Sequence, residues 1–148
     1  MRYCLDTSAI VTWLKNPVAQ AVLDSGYLNA QNELLISVVT LGELEALAQK
    51  NAWGTPKVEK VNAFTDRLLK VDISNRDVIK AYGFLDAFSQ GRLKQAPLPN
   101  GMSARNMGKN DLWIAATAYV TRAIILTADK DFDHLQQAGI MRVEKVEV

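Results

Sequence analysis

The sequence predicts an α/β/α sandwich, a fold in which helices cover both faces of a mainly parallel β-sheet. Short β-like runs alternate with longer helix-like stretches along the chain. Each strand-like run is continuously apolar, which is typical of strands that are buried on both faces of a parallel sheet. The 148 residues are 49% hydrophobic and 22% charged, a composition ordinary for one soluble globular domain.

Five short apolar runs are predicted to be the strands of this sheet. They are residues 2–5, 33–37, 70–73, 123–127 and 140–148. The last run follows Gly139, a residue type that commonly ends a helix.

The stretches between the strands are predicted to be helical, with one exception. Ser8 is expected to cap the first helix, and Asn16-Pro17 to end it and begin the second, because proline is tolerated at the first position of a helix. Further helices are predicted at residues 38–50, from the turn at 53–56 through 69, and at 76–88, 111–119 and 129–137. Residues 89–108 contain several glycines and prolines without a helical period, so they are predicted to be a loop.

Charge and cysteine content exclude several classes of protein. The 17 basic and 16 acidic residues give a net charge of +1, which argues against coating nucleic acid or a membrane through bulk charge. The single cysteine, Cys4, excludes an internal disulfide and a cysteine zinc cluster, and we expect a buried, inert thiol. The residues before Asp6 are too few for a signal peptide, and the longest apolar stretch, 34–41, is too short for a membrane span. We therefore expect a cytoplasmic protein without membrane contact.

Carboxylates follow the predicted strands at positions where such sheets build sites. Asp6 comes directly after the first strand, and Asp129 and Asp131 come directly after the fourth. Asp111 opens the helix that leads into the fourth strand, and Glu43 lies in the helix after the second. Because the carboxyl ends of parallel strands meet at one edge, we expect these acids to converge there.

Gathered carboxylates favour a bound metal ion. They repel one another, which raises their pKa values, and a divalent cation removes this repulsion. Oxygen ligands without histidine or cysteine select Mg²⁺ or Mn²⁺, ions that activate water and stabilise charge on a phosphate. The motifs of serine hydrolases, zinc proteases and nucleotide-binding loops are absent, and His134 is expected on a solvated helix face.

Four ordered motifs resemble those of PIN-domain ribonucleases, and most closely the VapC-type toxins of prokaryotic toxin–antitoxin pairs. They are LDTSAI, SVVTLGEL, NDLWIAATA and TADKDF. The resemblance covers nearly the whole chain, and it implies a single PIN domain over residues 1–148 with five parallel strands in the order 3-2-1-4-5. It further implies metal-dependent cleavage of single-stranded RNA, a cognate antitoxin held by the helical pair around Trp53, and a homodimer.

The resemblance also implies roles for the acids. Asp6, Glu43, Asp111 and Asp129 would be catalytic. Asp6, Asp111 and Asp129 would hold Mg²⁺ or Mn²⁺, and Glu43 would orient the metal or the attacking water. Asp131 is the alternative or additional fourth ligand, because both side chains follow the strand within one turn.

The helix after the second strand offers two candidate acids. Glu43 and Glu45 both flank its apolar face, so helical periodicity alone does not decide between them, whereas the motif favours Glu43. Thr7, Thr127 and Asn110 are candidates for hydrogen-bonding support, although caps and turns use the same residue types.

A basic segment precedes Asp111. Residues 87–110 contain no acid, whereas Arg92, Lys94, Arg105 and Lys109 supply four positive charges. A flexible basic loop that leads into a catalytic carboxylate is suited to binding the RNA backbone. The alternative interpretation is a loop that is merely solvated.

Three other functions share parts of this pattern. A haloacid-dehalogenase-like phosphatase needs a second acid two residues after Asp6, where this chain has Ser8. A receiver-like signalling module needs an acceptor aspartate past the third strand, whereas Asp72 lies within it. A PIN-like module that binds a partner without catalysis is the third alternative.

Overall fold

A computed structural model describes residues 1–146, and the predicted positions Glu147 and Val148 of the last strand lie outside this range. The strands are β1 (Arg2–Leu5), β2 (Glu33–Ser37), β3 (Leu69–Val71), β4 (Ile124–Thr127) and β5 (Val143–Lys145). All neighbouring strands are parallel, and their order in the sheet is β3-β2-β1-β4-β5. The predicted fold class and strand order are therefore confirmed.

Helices cover both faces of the sheet and divide the core into two parts. They are α1 (Thr7–Lys15), α2 (Pro17–Gly26), α3 (Val38–Lys50), α4 (Thr55–Asp66), α5 (Arg76–Ser89), α6 (Lys109–Thr121) and α7 (Asp133–Gln137). The first four contribute to one hydrophobic cluster and the last three to the other. Tyr3 and Leu5 pack in the first cluster and Cys4 in the second, because successive side chains of a strand point to opposite faces.

The central position of β1 accounts for its apolar sequence. Cys4 is fully buried, and burial raises the pKa of its thiol to about 12, with a further contribution from the negative charge of Asp6. The thiol is thus inert, as predicted. Within the part of the chain that the structure describes, no helix is both long and apolar enough to cross a membrane.

Some element boundaries differ from the prediction. The fourth helix ends at Asp66 instead of residue 69, because Leu69 pairs with Leu35 of β2 and begins β3. The two adjacent leucines extend the helical pattern of the sequence, but neither lies in the helix. Leu68 follows α4 and is 3% exposed, whereas Leu69 is 54% exposed and begins β3. The last helix begins at Asp133 instead of residue 129.

Candidate active site

Asp6 is the most buried acid at the carboxyl edge of the sheet, with only 3% of its surface exposed. Its backbone precedes the first residue of α1, but its side chain does not cap the helix. The carboxylate atom Oδ2 instead accepts hydrogen bonds from Ser8 Oγ at 2.6 Å and Thr127 Oγ1 at 2.8 Å. These bonds fix the carboxylate between α1 and the end of β4.

Ser8 links α1 to the end of β4, so its predicted role as a helix cap is wrong. It lies inside the first turn of α1, donates to Asp6, and accepts a hydrogen bond from the Ala128 backbone at 3.0 Å. Only the tertiary structure brings Ala128 to this serine, and local sequence therefore gave no signal for the contact.

Two of the acids have strongly raised pKa values. Burial raises the pKa of Asp6 to about 6, against the opposing hydrogen bonds from Ser8 and Thr127 and with added repulsion from Asp129. Burial also raises the pKa of Asp111 to about 7, with repulsion from Asp6, Asp131, Asp129 and Glu43 in that order. Asp111 lies in the first turn of α6, where the helix dipole favours a negative charge. Desolvation and repulsion raise the pKa of Asp111 by more than the helix dipole lowers it.

The two acids after β4 approach different partners. The carboxyl group of Asp129 interacts with that of Asp6, whereas the carboxyl group of Asp131 interacts with that of Asp111. The pKa of Asp131 is raised by partial burial and by the charge of Asp129. The Asp131 backbone also donates to Asp129 Oδ1 at 3.0 Å, which orients this carboxylate within the turn. Both acids therefore lie at the site.

The structure places Glu43, and not Glu45, beside the other acids. Thr7 Oγ1 donates to Glu43 Oε1 at 2.6 Å, and the charge of Glu43 contributes to the raised pKa of Asp111. Glu45 is exposed and accepts a hydrogen bond from Gln49 Nε2 at 3.0 Å. It lines a separate cleft between α3 and α4.

Lys145 is a residue of this edge that the sequence reasoning missed. Its ammonium group pairs with Asp133 Oδ1 at 2.6 Å and donates to the backbone carbonyl of Asp129. Its positive charge lowers the pKa of Asp131, although burial and Asp129 outweigh it. The lysine ends β5, but the strand predicted at residues 140–148 extended past it, so the rule that located the acids at strand ends did not select it.

The donor set fits a hard divalent cation, because it consists of clustered carboxylate oxygens whose negative charge Lys145 offsets only in part. We refer to Asp6, Glu43, Asp111, Asp129 and Asp131 as the acid group. Within residues 1–146, no ion pair involves a side chain of this group. Nor does any set of three potential ligands in these residues form a ready-made metal site. A cation would therefore have to draw the carboxylates together, which the raised pKa values show to be unfavourable without one.

His134 is buried, so the expected solvated position is wrong. It is 2% exposed, and its Nε2 lies 3.0 Å from the hydroxyl of Ser89. Burial lowers the pKa of His134 to about 4, and the nearby positive charge of Arg105 adds to this effect. Exposure was expected because polar residues flank the histidine in the sequence. In the short helix α7, however, His134 is buried together with Leu135, which belongs to the second hydrophobic cluster.

The basic segment is a loop, as predicted, but it is anchored to the protein. Residues 90–108 contain no helix or strand, and the Arg105 backbone donates to the Ser89 carbonyl at 2.8 Å. Gly91 has a φ of +70°, and a Cβ atom at this position would lie 3.1 Å from Leu98. Arg92, Lys94, Arg105 and Lys109 are all exposed. The influence of Arg105 on the pKa of His134 places this arginine near the start of α7.

Comparison with known proteins identifies the family to which this fold and site belong. The model of the PIN domain family matches residues 3–137, and the chain therefore belongs to the PIN-domain family. Members of this family are typically nucleases and generally use divalent metal ions. A search of curated protein sequences found no match to this chain.

Solved structures of VapBC complexes share the fold. VapBC2 from Rickettsia felis, bound to a promoter DNA fragment, matches with a TM-score of 0.75 and 24% identity over 98% of each chain. DNA-bound VapBC from Salmonella typhimurium matches with a TM-score of 0.72 and 22% identity over 99% of each chain. VapBC-5 from Mycobacterium tuberculosis, a member of the VapBC family of toxin–antitoxin systems, matches with a TM-score of 0.62 and 24% identity over 99% of this chain and 98% of the other.

Proposed function

We propose that this chain is a Mg²⁺- or Mn²⁺-dependent endoribonuclease that hydrolyses RNA phosphodiester bonds as the toxin of a toxin–antitoxin pair. The observation that carries the proposal is the acid group itself, in which five carboxylates gather at one edge of the sheet and none of them forms an ion pair within residues 1–146. Membership in a family whose members are typically nucleases supports the same reaction class.

In the proposed mechanism, Asp6, Asp111 and Asp129 hold the cation, and Asp131 is an additional or alternative ligand. When bound, the cation would lower the pKa of a water molecule and stabilise the charge that develops on the phosphate. Glu43 orients the attacking water or the cation.

Neighbouring hydroxyl groups keep the catalytic carboxylates in place. Ser8 and Thr127 fix Asp6 through two hydrogen bonds, and Thr7 fixes Glu43 through one. Because each carboxylate is oriented by a neighbour that has no charge, its own charge stays available to a cation. Asp6 and Glu43 therefore have fixed orientations before a cation or a substrate binds.

The exposed basic residues provide the proposed RNA-binding surface. Arg92, Lys94 and Arg105 lie on a loop whose backbone is bound to Ser89, and Lys109 begins α6, two residues before Asp111. A positively charged surface beside a cation site would hold the phosphate backbone while one phosphodiester reaches the acids. The anchoring of the loop gives these charges a defined position relative to the site.

We further propose that the chain acts as a single cytoplasmic PIN domain over residues 1–148, with a cognate antitoxin and a second copy of itself as partners. The similarity to chains of VapBC complexes supports an antitoxin partner. A small cleft between α3 and α4, whose lining includes Leu41, Leu44 and Trp53, is the candidate contact surface.

The test of the catalytic proposal is cleavage of a labelled single-stranded RNA by the purified protein. We expect cleavage with Mg²⁺ or Mn²⁺ and none with EDTA, and activity should return when excess cation is added. Persistent cleavage in EDTA would contradict the metal requirement. A folded protein that cleaves no RNA with either cation would favour the partner-binding module. A phosphatase is disfavoured because Ser8, which is bound to Asp6, occupies the position of the second acid that such enzymes need.

A further inference from the structure

A groove lies beside the acid group, along the face of α3 opposite to the α3–α4 cleft. It has a volume of about 420 Å³, within the roughly 300–1,000 Å³ typical of ligand sites. Glu43 and its hydrogen-bonding partner Thr7 line the groove, so it borders the acid group. Asn110, the residue directly before Asp111, lines it from the start of α6. Any occupant would therefore lie next to the proposed cation site.

The floor of the groove combines apolar surface with a positive charge at one end. Gly42, Ala46 and Lys50 all line it, and they follow one another at intervals of four residues along α3. Glu43 and Lys50 are seven residues apart, which corresponds to about 10 Å along a helix. The Lys50 side chain is exposed and forms no ion pair within residues 1–146.

Gly42 lines the groove without a side chain. A Cβ atom added at this position would have no neighbour within 4 Å, so nothing in the fold requires a glycine there. Gly83 in α5 provides a matched comparison, because it is also an exposed helical glycine with no atom within 4 Å of an added Cβ. A larger side chain at either position should stabilise its helix, whereas only one of them would fill the groove.

We propose that this groove binds the nucleotide adjacent to the scissile phosphate of a single-stranded RNA. The base lies on the surface of Gly42 and Ala46, the Asn110 amide contacts the edge of the base, and Lys50 binds the next phosphate. An amide group both donates and accepts hydrogen bonds, so Asn110 can distinguish bases that are exposed in a single strand. This inference rests on the proposed nuclease function and deepens it by naming a subsite for the substrate.

RNA accounts for the groove better than a small apolar ligand does. The groove shares Glu43 with the proposed phosphodiester-cleaving site, and Lys50 in its lining carries a positive charge that matches a second phosphate. Its lining combines an apolar floor with an amide and an ammonium group, which corresponds to the base, base edge and phosphate of one nucleotide.

The first experiment measures RNA binding by the inactive Asp6→Asn protein, with a fluorescein-labelled 12-nucleotide RNA of random sequence as the probe. Adding Gly42→Met should weaken binding at least tenfold, whereas the control Gly83→Met should remain within twofold of the parent. Thermal unfolding of both variants verifies that each remains folded. Equal affinities for the two variants would overturn the proposal and leave the groove for a protein segment.

The second experiment separates the phosphate contact from the base contact. Lys50→Gln should reduce the dependence of log affinity on log salt concentration by about 0.7, the value for one phosphate of a single strand, whereas the exposed Lys80→Gln should not. In an otherwise unmodified chain, Asn110→Ala should flatten the base preference next to the cleavage point in a random RNA library. An unchanged salt slope and an unchanged base preference would overturn these assignments. An unmodified chain that cleaves no RNA, with an Asp6→Asn form that binds none, would overturn the nuclease proposal as well.

Discussion

The amino and carboxyl edges of the sheet differ in how their charged side chains are arranged. At the amino edge, Arg2 pairs with Glu33 at 2.9 Å and also donates to the Thr121 carbonyl at 2.9 Å. Both members of this pair are largely exposed. At the carboxyl edge, Asp6 and Asp111 lie in a group of acids that have raised pKa values.

The two arrangements have different effects on the stability of the fold. Arg2 and Glu33 balance each other in solvent, where an ion pair changes the free energy of unfolding very little. The carboxyl edge holds negative charges at distances where they repel, and the protein is less stable for it until a cation binds. Acids with raised pKa values are typical of functional sites, so the carboxyl edge is the expected position of the active site.

The largest expected effect is the loss of activity in Asp6→Asn. The asparagine oxygen can still accept hydrogen bonds from Ser8 and Thr127, so the fold should be retained, but a central negative charge for the cation is lost. We expect RNA cleavage to fall on the order of a thousandfold, similar to the loss of other electrostatic groups at active sites. Initial rates with a labelled RNA measure the effect. Arg2→Gln at the amino edge is the control, and comparable losses in both variants would contradict the distinction between the edges.

The next largest effect concerns stability and its dependence on pH. In the folded chain, the pKa of Asp111 is raised from its ordinary value of 3.8 to about 7. Between these values the folded chain binds more protons than the unfolded chain, so the free energy of unfolding falls as the pH rises. Asp111→Asn removes this loss and should raise the melting temperature of the cation-free protein at pH 8, with the difference shrinking toward pH 4.

The melting temperature of both proteins, with and without Mn²⁺, measures this effect. For a domain of this size, each kcal/mol corresponds to about 2–4 °C. Mn²⁺ should stabilise the unmodified protein and should stabilise the Asp111→Asn variant much less. A variant that melts below the unmodified protein at pH 8 without a cation would show that Asp111 does not oppose folding.

A smaller effect is expected when the basic loop is neutralised. Arg105→Gln together with Lys109→Gln should weaken RNA binding and reduce the slope of log affinity against log salt concentration by about 1.4, or 0.7 for each phosphate contact in a single strand. The inactive Asp6→Asn protein is the suitable background, because cleavage then does not disturb the measurement. If both affinity and slope stayed unchanged, the loop would be a solvated connection only.

The smallest effect is expected for Glu33→Gln at the amino edge. Its exposed pair with Arg2 should contribute at most about 1 kcal/mol, and RNA cleavage should not change. Urea unfolding with a cleavage assay on the same sample tests both points. A loss of activity in a stable Glu33→Gln protein would indicate that the amino edge also takes part in function.

The sequence predicted what depends on periodic patterns and missed what depends on tertiary contacts. Apolar runs located all five strands, and the positions of acids after strands were sufficient to bring Asp6 and Asp129 together. The burial of His134 was missed, because its hydrogen-bonding partner Ser89 is 45 residues away in the chain. Helical periodicity could not choose between Glu43 and Glu45, and the resemblance favoured Glu43; the contact with Thr7 that positions Glu43 is visible only in the structure.

The basic loop shows the same limit. Its glycines, prolines and charges indicated an irregular segment, and the structure agrees. Its anchoring could not be predicted, because it depends on one backbone hydrogen bond to Ser89 and on the packing of Leu98 near Gly91. Such contacts leave no periodic signal in the sequence.

The hydrogen bond between Thr127 and Asp6 joins residues that are 121 positions apart in the chain. At about 5–20 residues per second, a ribosome needs roughly 6–24 s to extend the chain from one to the other. During that interval the growing chain already contains Asp6 and Glu43, but it lacks Thr127, Asp129 and Asp131. A protein whose synthesis stops before β4 therefore cannot assemble the acid group, and the proposed nuclease becomes competent only after β4 and the two acids that follow it have been synthesised.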